Sequence, residues 1–447
     1  MAGSTARSSA PTDRPSALAE RIVQEHAAAS ANAHAFPSSV VSAERRRAAL
    51  EVLSSKGLPT TRDENWRYAN LRPLEKTAFR SVASTGPSKV ALTDLPPTIA
   101  GYSRYVFIDG TFAAGLSATT SPKGVTVTAG ATSGRQASDA ASGDERFALL
   151  NDAFATDAAF VHAPKDADCT ACVEVLFVAT EPSTNAASYP RLEIEVETNA
   201  RVGLIERHIS VGSDNNFINV AVHVNIAAGA QVNHYRLQQT GARATWFDTL
   251  TAKVEKDASY CVHFVTLGGQ STRSTSRVQL VGERAETAIH VVSLADGQQV
   301  QDGLALVEHI APNTKSEHSV RGIAGGRSRV AFNSKVVVRE HAKGTDSRQS
   351  LRGLLAGPQA EIDVRPQLEI YTDDVRCNHG ATAGKLDDNM LFYMLSRGIE
   401  RDIAQQLLKW AFLEDVVSRI AVPELRKHIE QSLAGQMKET AALQELI

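Results

Sequence analysis

FINVAVHVNIAAGAQVNHYRLQ, residues 217–238, carries the pattern on which the fold turns. Ile218, Val220, Val222, Val224 and Ile226 alternate with polar or small residues, and strand character resumes after the turn AGA that ends at Ala230. A period of two puts one face of each strand in a core. The same unit recurs on both sides, as YVFID, VEVLFVA, LEIEVET, RVQLV, AIHVVSL, LALVEH, RVAFNSKVVVRE and LEIYT, all between about Tyr105 and Tyr371. Between strands the chain repeats a small turn ending in alanine: TNA at Ala200, AGA at Ala230, KDA at Ala258, ERA at Ala285 and PQA at Ala360. The first four are about 27 to 30 residues apart, a period typical of repeat architectures. Small corner residues let successive coils of a solenoid approach closely. The chain is therefore predicted to be mainly β, with a parallel β-helix core over 101–371. An antiparallel sandwich or barrel is the alternative, because so degenerate a repeat also accommodates hairpins.

Helical signals flank this core. Residues 16–100 read as an N-terminal helical domain: Leu18, Ile22 and Val23 are followed by AERRRAALEVL, with Ser42 as N-cap and Gly57 then Pro59 as the stop. The run Arg45 to Arg47 reads as a solvated helix face. Residues 372–447 read as a C-terminal helical domain, with Leu391, Leu395, Ile399, Ile403, Leu407 and Phe412 at near-helical spacing, a break at Gly398, and a second helix from Pro423 to about Leu433. Residues 1–15 are Ala/Ser/Pro-rich and are expected to be a disordered tail. Arg7, Arg14 and the serines suit an organelle transit peptide, whereas Asp13 and the shortness of the stretch do not.

Bulk properties narrow the function. Of the 447 residues 22% are charged and 43% hydrophobic, with a formal net charge of -3, which gives a nucleic-acid or membrane-surface role no support. No run approaches the roughly 18 consecutive apolar residues of a membrane helix. Four cysteines in such a length do not make a disulfide framework, so a reducing cytosol is the expected compartment. Cys169 and Cys172 form a C-x-x-C without a second ligand pair and read as ordinary cysteines where a strand begins. Cys261, in an alternating segment, reads as a small core residue. His208, His223, His234, His263 and His290 lie in alternating strands and read as hydrogen-bonded strand residues, while His309 and His318 flank the loop APNTK.

A nucleotide site is not expected. GATAGKL, residues 380–386, lacks one residue between its glycines and has Leu386 in place of the metal-binding Ser or Thr of a phosphate loop. The cluster Gly322, Gly325, Gly326 reads as a turn, and no hydrolase or metalloprotease signature appears. The one local constellation with metal character is Asp373-Asp374-Val375-Arg376-Cys377-Asn378-His379-Gly380. In an extended segment Cys377 and His379 project to one face, and a thiolate beside an imidazole suits iron or zinc. Two ligands do not close a tetrahedral site, so the remainder must come from elsewhere.

The segment PQLEIYTDDVRCNHGATAGKLDDNMLFYMLSRGI, residues 366–399, with the later pattern Ala411, Phe412, Glu414, Val416, resembles the C-terminal signature of the SufB/SufD family of SUF iron–sulfur cluster assembly proteins, in its SufD form. GLPTTRDENWRYANLRPL (57–74), YVFIDGTF (105–112) and LNDAFATDAAFVHAP (150–164) extend the resemblance over nearly the whole chain. It implies a right-handed parallel β-helix between helical domains and a non-catalytic scaffold role. It also implies pairing with a SufB-type paralogue and docking of a SufC-type ABC ATPase on the C-terminal helices, with Leu391, Phe392, Leu395, Leu407 and Phe412 in the docking region. Cys377 and His379 would then lie near the SufB interface, where a transient iron or iron–sulfur cluster is handled, and Asp373 and Asp374 would shape the approach. Two other readings compete: a SufB-like homomeric scaffold, which would need a fuller cysteine set and a Glu-containing Cys-x-His motif, and a β-helical carbohydrate-active enzyme, which would normally be exported.

Overall fold

Each coil of the core turns a corner on one left-handed residue followed by one small buried residue. Asn199, Gly229, Asp257, Arg284, Asn313 and Gly344 have φ between 56° and 73°. Ala200, Ala230, Ala258, Ala285, Thr314 and Thr345 follow them, each at most 1% exposed. Asn, Asp and Gly enter this region most cheaply. Arg284 does so less readily, and its guanidinium is tied to Asp257 of the preceding corner at 2.6 Å. The next N–H donates one coil back: Gln231 to the Ala200 carbonyl, Ser259 to Ala230, Glu286 to Ala258 and Lys315 to Ala285, at 2.8–3.0 Å. Four of the five alanine-ended turns thus form one column, continued by Thr314 and Thr345. Ala360 belongs to a different corner, where Glu361 donates to the Ser328 carbonyl.

The computed structural model describes residues 17–30, 36–82, 90–122, 124–133, 143–180, 185–212 and 215–437; the tail expected over 1–15 lies outside them. The column of corners organises a parallel β-solenoid of about seven turns with two walls. One wall is an 11-stranded sheet whose ordered path ends on Glu361–Ile370, and the other a 10-stranded sheet that ends on Val375–Gly384. Pairing is parallel and in register from coil to coil, as in Phe217 with Thr245, Thr245 with Ser271 and Ser271 with Val300. Among the described residues antiparallel pairing is confined to two strand pairs at the N-terminal end, Ser103–Ile108 with Thr111–Phe112 and Thr126–Ala129 with Ala159–Ala163. The antiparallel alternative is thereby excluded. The solenoid also continues past residue 371, because Val375–Gly384 pairs along Thr345–Leu355.

Helices cover the outer faces of both walls. Ala17–Ser30, Ala43–Lys56 and Arg146–Phe154 bury Trp66, Phe147 and Phe154 with Tyr189, Phe217 and Phe247 of the first wall. Ser42 accepts from the Arg45 N–H and Gly57 ends the helix at φ 65°, as its sequence predicts. The arginine run is not the solvated face expected of it. Arg46 is buried and donates to the carbonyls of Asp152, Ala153 and Ala155 at 2.8–3.1 Å, and Arg45 pairs with Asp152 at 2.9 Å. Free carbonyls at the end of the Arg146–Phe154 helix need donors, and a guanidinium supplies several at once. On the second wall Arg401–Val417 and Pro423–Gln436 bury Leu413, Val416, Val417, Leu425, Ile429 and Leu433.

The solenoid interior is apolar over most of its length but not uniformly so. Near its middle Glu206 receives Arg236 at 2.6 Å and His208 at 2.6 Å, and Arg236 also donates to Asp248 at 2.9 Å. Burial works to raise the Glu206 pKa, but Arg236, His208 and His234 overcome it and hold the carboxyl well below its usual range. Toward the C-terminal end His309 bonds Thr314 at 2.7 Å and Ser316 at 2.8 Å, Ser316 bonds Ser347 at 2.8 Å, and His318 bonds Ser334.

Two outcomes follow from this architecture. Ala258→Leu forces three extra heavy atoms into a corner with no room, and is expected to destabilise by about 1–3 kcal/mol, read as a lower urea midpoint, without loss of the β-rich circular dichroism spectrum. Burial lowers His309 to a pKa of about 3 and His318 to about 4, so both stay neutral in the fold. In the unfolded chain they take up protons near pH 6.5. The unfolded state therefore binds more protons below that pH, and stability should fall between pH 6.5 and 5.5 by up to about 1.4 kcal/mol per pH unit for each such histidine, measured by denaturation at fixed ionic strength.

Candidate functional site

The last strand, Val375–Gly384, presents Cys377 and His379 on the same face, and register shows which face it is. Cys377 pairs with Ser347, and the column runs back through Ser316 and Thr287 to Tyr260. His379 pairs with Gln349, and its column runs back through His318 and Ile289 to Val262. All these predecessors are buried, so the column faces the solenoid interior. Cys377 packs against that interior apolar cluster and is half-buried, whereas His379 is exposed. The reason is position: an inward residue is covered by the coil beyond it, and among the described residues no coil follows this one. The predicted pair thus sits at the open mouth of the solenoid.

Local chemistry holds Cys377 as a thiol. Burial pushes its pKa up, the Asp346 carboxylate pushes it further, and a backbone hydrogen bond from Ser347 opposes both. A thiolate at this position needs a cation or a partner's positive charge to form. Directly beneath lie Ser347, Gln349, Ser316 and His318, with Nε2 of His318 and Oε1 of Gln349 buried and unbonded. Among these the sequence drew attention only to His318, which with His309 flanks the APNTK loop; Ser347 and Gln349 lie in a polar strand that gives no apolar signal. Asp373 and Asp374 are exposed at the turn before the strand, and the Asp374 carbonyl accepts from the Gly344 N–H at 2.7 Å. The glycines of GATAGKL lie in or just after this extended strand and form no phosphate cradle.

The segments expected to dock a partner divide by exposure. Asp388–Ser396 has an Asp387 N-cap that accepts from Asn389 and Met390. Leu391 faces inward at 7% exposure, while Phe392 is 73% exposed and Met390 and Tyr393 are 59% exposed each. Leu395, Leu407 and Phe412 are half-buried, and Phe412 packs against the helix–wall cluster. Met390 and Tyr393, which the helical periodicity leaves off the apolar stripe, therefore belong to the exposed patch with Phe392.

The other cysteines separate as well. Cys169 and Cys172 are buried where Asp168–Ala179 bulges. Cys261 does not enter the interior core; it lies on the outer face of the second wall, 3.5 Å from Nε2 of His263. Among the described residues no helix is long and apolar enough to cross a membrane.

Comparison with known proteins agrees with this architecture over most of the chain. Residues 23–175 match the SufBD protein N-terminal region, and residues 177–412 match the SufBD core domain of SUF system FeS cluster assembly. The iron–sulfur cluster assembly protein SufD of Escherichia coli (strain K12) is 30% identical over 383 residues, 85% of this chain and 89% of its own length. An iron–sulfur cluster assembly SufBD family protein of Synechocystis is 27% identical, covering 87% of this chain and 90% of the relative. Protein ABCI7, chloroplastic, of Arabidopsis thaliana is 24% identical over 90% of this chain and 87% of its own length. With both halves of the solenoid and its N-terminal helices covered, the chain belongs to the SufBD family of iron–sulfur cluster assembly proteins.

Proposed function

We propose that this chain is a SufD-type, non-catalytic scaffold subunit that pairs with a SufB-type paralogue, docks a SufC-type ATPase, and handles iron or a nascent iron–sulfur cluster as cargo at the paralogue interface. The observation that carries the reading is the open solenoid mouth, where Cys377 and His379 face inward yet remain reachable. A soft sulfur and an imidazole suit iron, and two ligands leave the coordination sphere to be completed by another chain.

The same end offers the means of pairing. Glu361–Ile370 and Val375–Gly384 are the terminal strands of their sheets, and their outer edges are unpaired among the described residues. Ile370 and Tyr371, at the turn between them, are 41% and 55% exposed. Strand edges flanked by apolar side chains favour addition of another sheet. A second solenoid with its own open end meets both requirements, continuing the walls and closing the mouth over the cargo. The ATPase reading rests on Met390, Phe392 and Tyr393, large apolar side chains exposed on the Asp388–Ser396 helix.

Two experiments test these assignments separately. Cys377→Ala and His379→Ala, each in a complex that still assembles with both partners at normal stoichiometry, should reduce cluster assembly in cells by at least about tenfold, since lost ligands damage metal binding while the fold survives. Wild-type assembly from both variants would return the pair to a structural role. Phe392→Glu with Tyr393→Glu should weaken ATPase capture by about 2 kcal/mol or more, roughly thirtyfold, because aromatic anchors dominate such interfaces. Pairing with the paralogue should be unchanged; loss of both associations, or of neither, would contradict separate surfaces.

A further inference from the structure

Outside the open mouth, one group of metal-ligating side chains stands out. Cys261 and His263 are two residues apart on Ser259–Thr266 and therefore share a face. His290 is the direct cross-strand partner of His263, and Cys261 is paired with the small Ala288. The possible ligand atoms of Cys261, His263 and His290 all lie within 4.8 Å of one another. Ligands held at 2.0–2.3 Å in a tetrahedral site are about 3.3–3.8 Å apart, so small side-chain rotations bring all three onto one ion.

The surroundings hold these side chains in place without satisfying them. Tyr235 stacks on His263 with ring centroids 5.2 Å apart, and the two imidazoles lie 4.8 Å apart at 42°. His263 is 4% and His290 6% exposed, and Nδ1 of each is buried with no hydrogen-bond partner. His309, by contrast, uses both ring nitrogens. His208, His223 and His318 also each keep one buried ring nitrogen unbonded, so what sets this group apart is that it brings two such rings and a cysteine sulfur within 4.8 Å of one another. Burial keeps both rings neutral, which is the ligating form, and pushes the Cys261 thiol up to about 11, so a cation is needed to draw off its proton.

We infer that Cys261, His263 and His290 form a site for a borderline divalent transition-metal ion of the zinc class, on the outer face of the second wall. Three protein ligands leave a fourth position; Glu317 is near enough for its charge to act on Cys261 and His290, and Arg419 near enough to act on all three. Glu317 is at present held by Arg419 at 2.5 Å and Ser319 at 3.0 Å. Arg419 opposes a cation, but it is 38% exposed and can turn to solvent when Glu317 engages the ion. Because Arg419 follows the Arg401–Val417 helix, the ion would be linked to the seating of the C-terminal helices on the wall. The site is separate from Cys377 and His379: it lies on the opposite face of the same wall and four strands away, about 19 Å at the usual strand spacing. It does not depend on the cluster-assembly reading.

Titration of the metal-free full-length chain with Co2+ under anaerobic, thiol-free conditions tests the site. The expected result is one equivalent bound with a sulfur-to-cobalt charge-transfer band and strong tetrahedral visible bands, displaced by Zn2+. The signal should persist in Cys377→Ala, vanish in Cys261→Ala and weaken at least tenfold in affinity in His290→Gln. Absence of a thiolate–cobalt band in the wild-type chain, or its survival in Cys261→Ala, would overturn the proposal. Should Cys261→Ala fail to fold, iodoacetamide labelling of the wild-type chain decides: Zn2+ should protect Cys261, located by peptide mapping, and unchanged labelling would overturn the site.

Discussion

The corner between the two walls is the constraint on which the rest of the molecule depends. One left-handed residue and one fully buried small residue per coil let the backbone turn within a single strand spacing, and the following N–H locks onto the coil before it. Once that contact is made, strand register is no longer free. A one-residue slip would exchange the inner and outer faces of every strand after it. The corner therefore decides that Val262, His318 and His379 stack in one inward column while Cys261, His263 and His290 face outward.

Such stacking makes the interior a sequence of layers, each able to differ from its neighbours because it contacts only those on either side. The layer at Glu206, Arg236 and Asp248 is charged and fully paired, the layers after it mix aliphatic and aromatic residues with Thr272, Ser274, Ser276 and Gln301, and the layers nearest the open end carry His309, Ser316, His318, Ser334, Ser347 and Gln349. The buried ion cluster is a weak source of stability, since desolvation offsets much of the attraction, but it is strict about geometry: a shifted coil would leave a carboxylate or guanidinium unpaired. It adds a second register device to the corners. The polar layers near the end carry less of the apolar burial that holds the middle together.

Where the sequence was legible, the signal was apolar. Phe217–Ile226 announces itself by alternation because its inward positions are Ile218, Val220, Val222, Val224 and Ile226. Lys315–Ala324 and Thr345–Leu355 do not, because their inward positions include Ser316, His318, Ser347 and Gln349, and polar inward residues erase the contrast on which periodicity depends. Val375–Gly384 is harder still: as the terminal strand it carries Cys377, His379, Ala381 and Ala383 inward and has, among the described residues, no coil beyond to demand bulk. The cysteine–histidine pair was legible through its spacing, and its shared face follows from period two; its location at the mouth of the solenoid is visible only once the coils are counted. Arg46 and Cys261 were misread for a common reason, that local pattern does not say which element will pack over a residue.

A solenoid must end twice, and this one ends differently at its two termini. At the N-terminal end two antiparallel strand pairs cross the first coils, and Ala17–Ser30 and Ala43–Lys56 fold over the first wall, so the first strands are covered and partnered. At the C-terminal end the chain has helices available to do the same. Instead Arg401–Val417 and Pro423–Gln436 run back along the outer face of the second wall, where Gln239 bonds Ser432 and Ala100 bonds Glu424. The apolar faces that could have capped the last coil are spent on Leu237, Val265, Val292 and Ile323. What remains at the mouth is a pair of strand edges, two exposed apolar residues and an inward-facing thiol and imidazole that no coil of the described residues covers. Open strand edges are a liability that a second sheet can relieve, and the proposed pairing puts the paralogue's solenoid there. Placing Cys377 and His379 on the final inward column puts a thiol and an imidazole at the one level of the described solenoid where interior geometry and access from outside coincide.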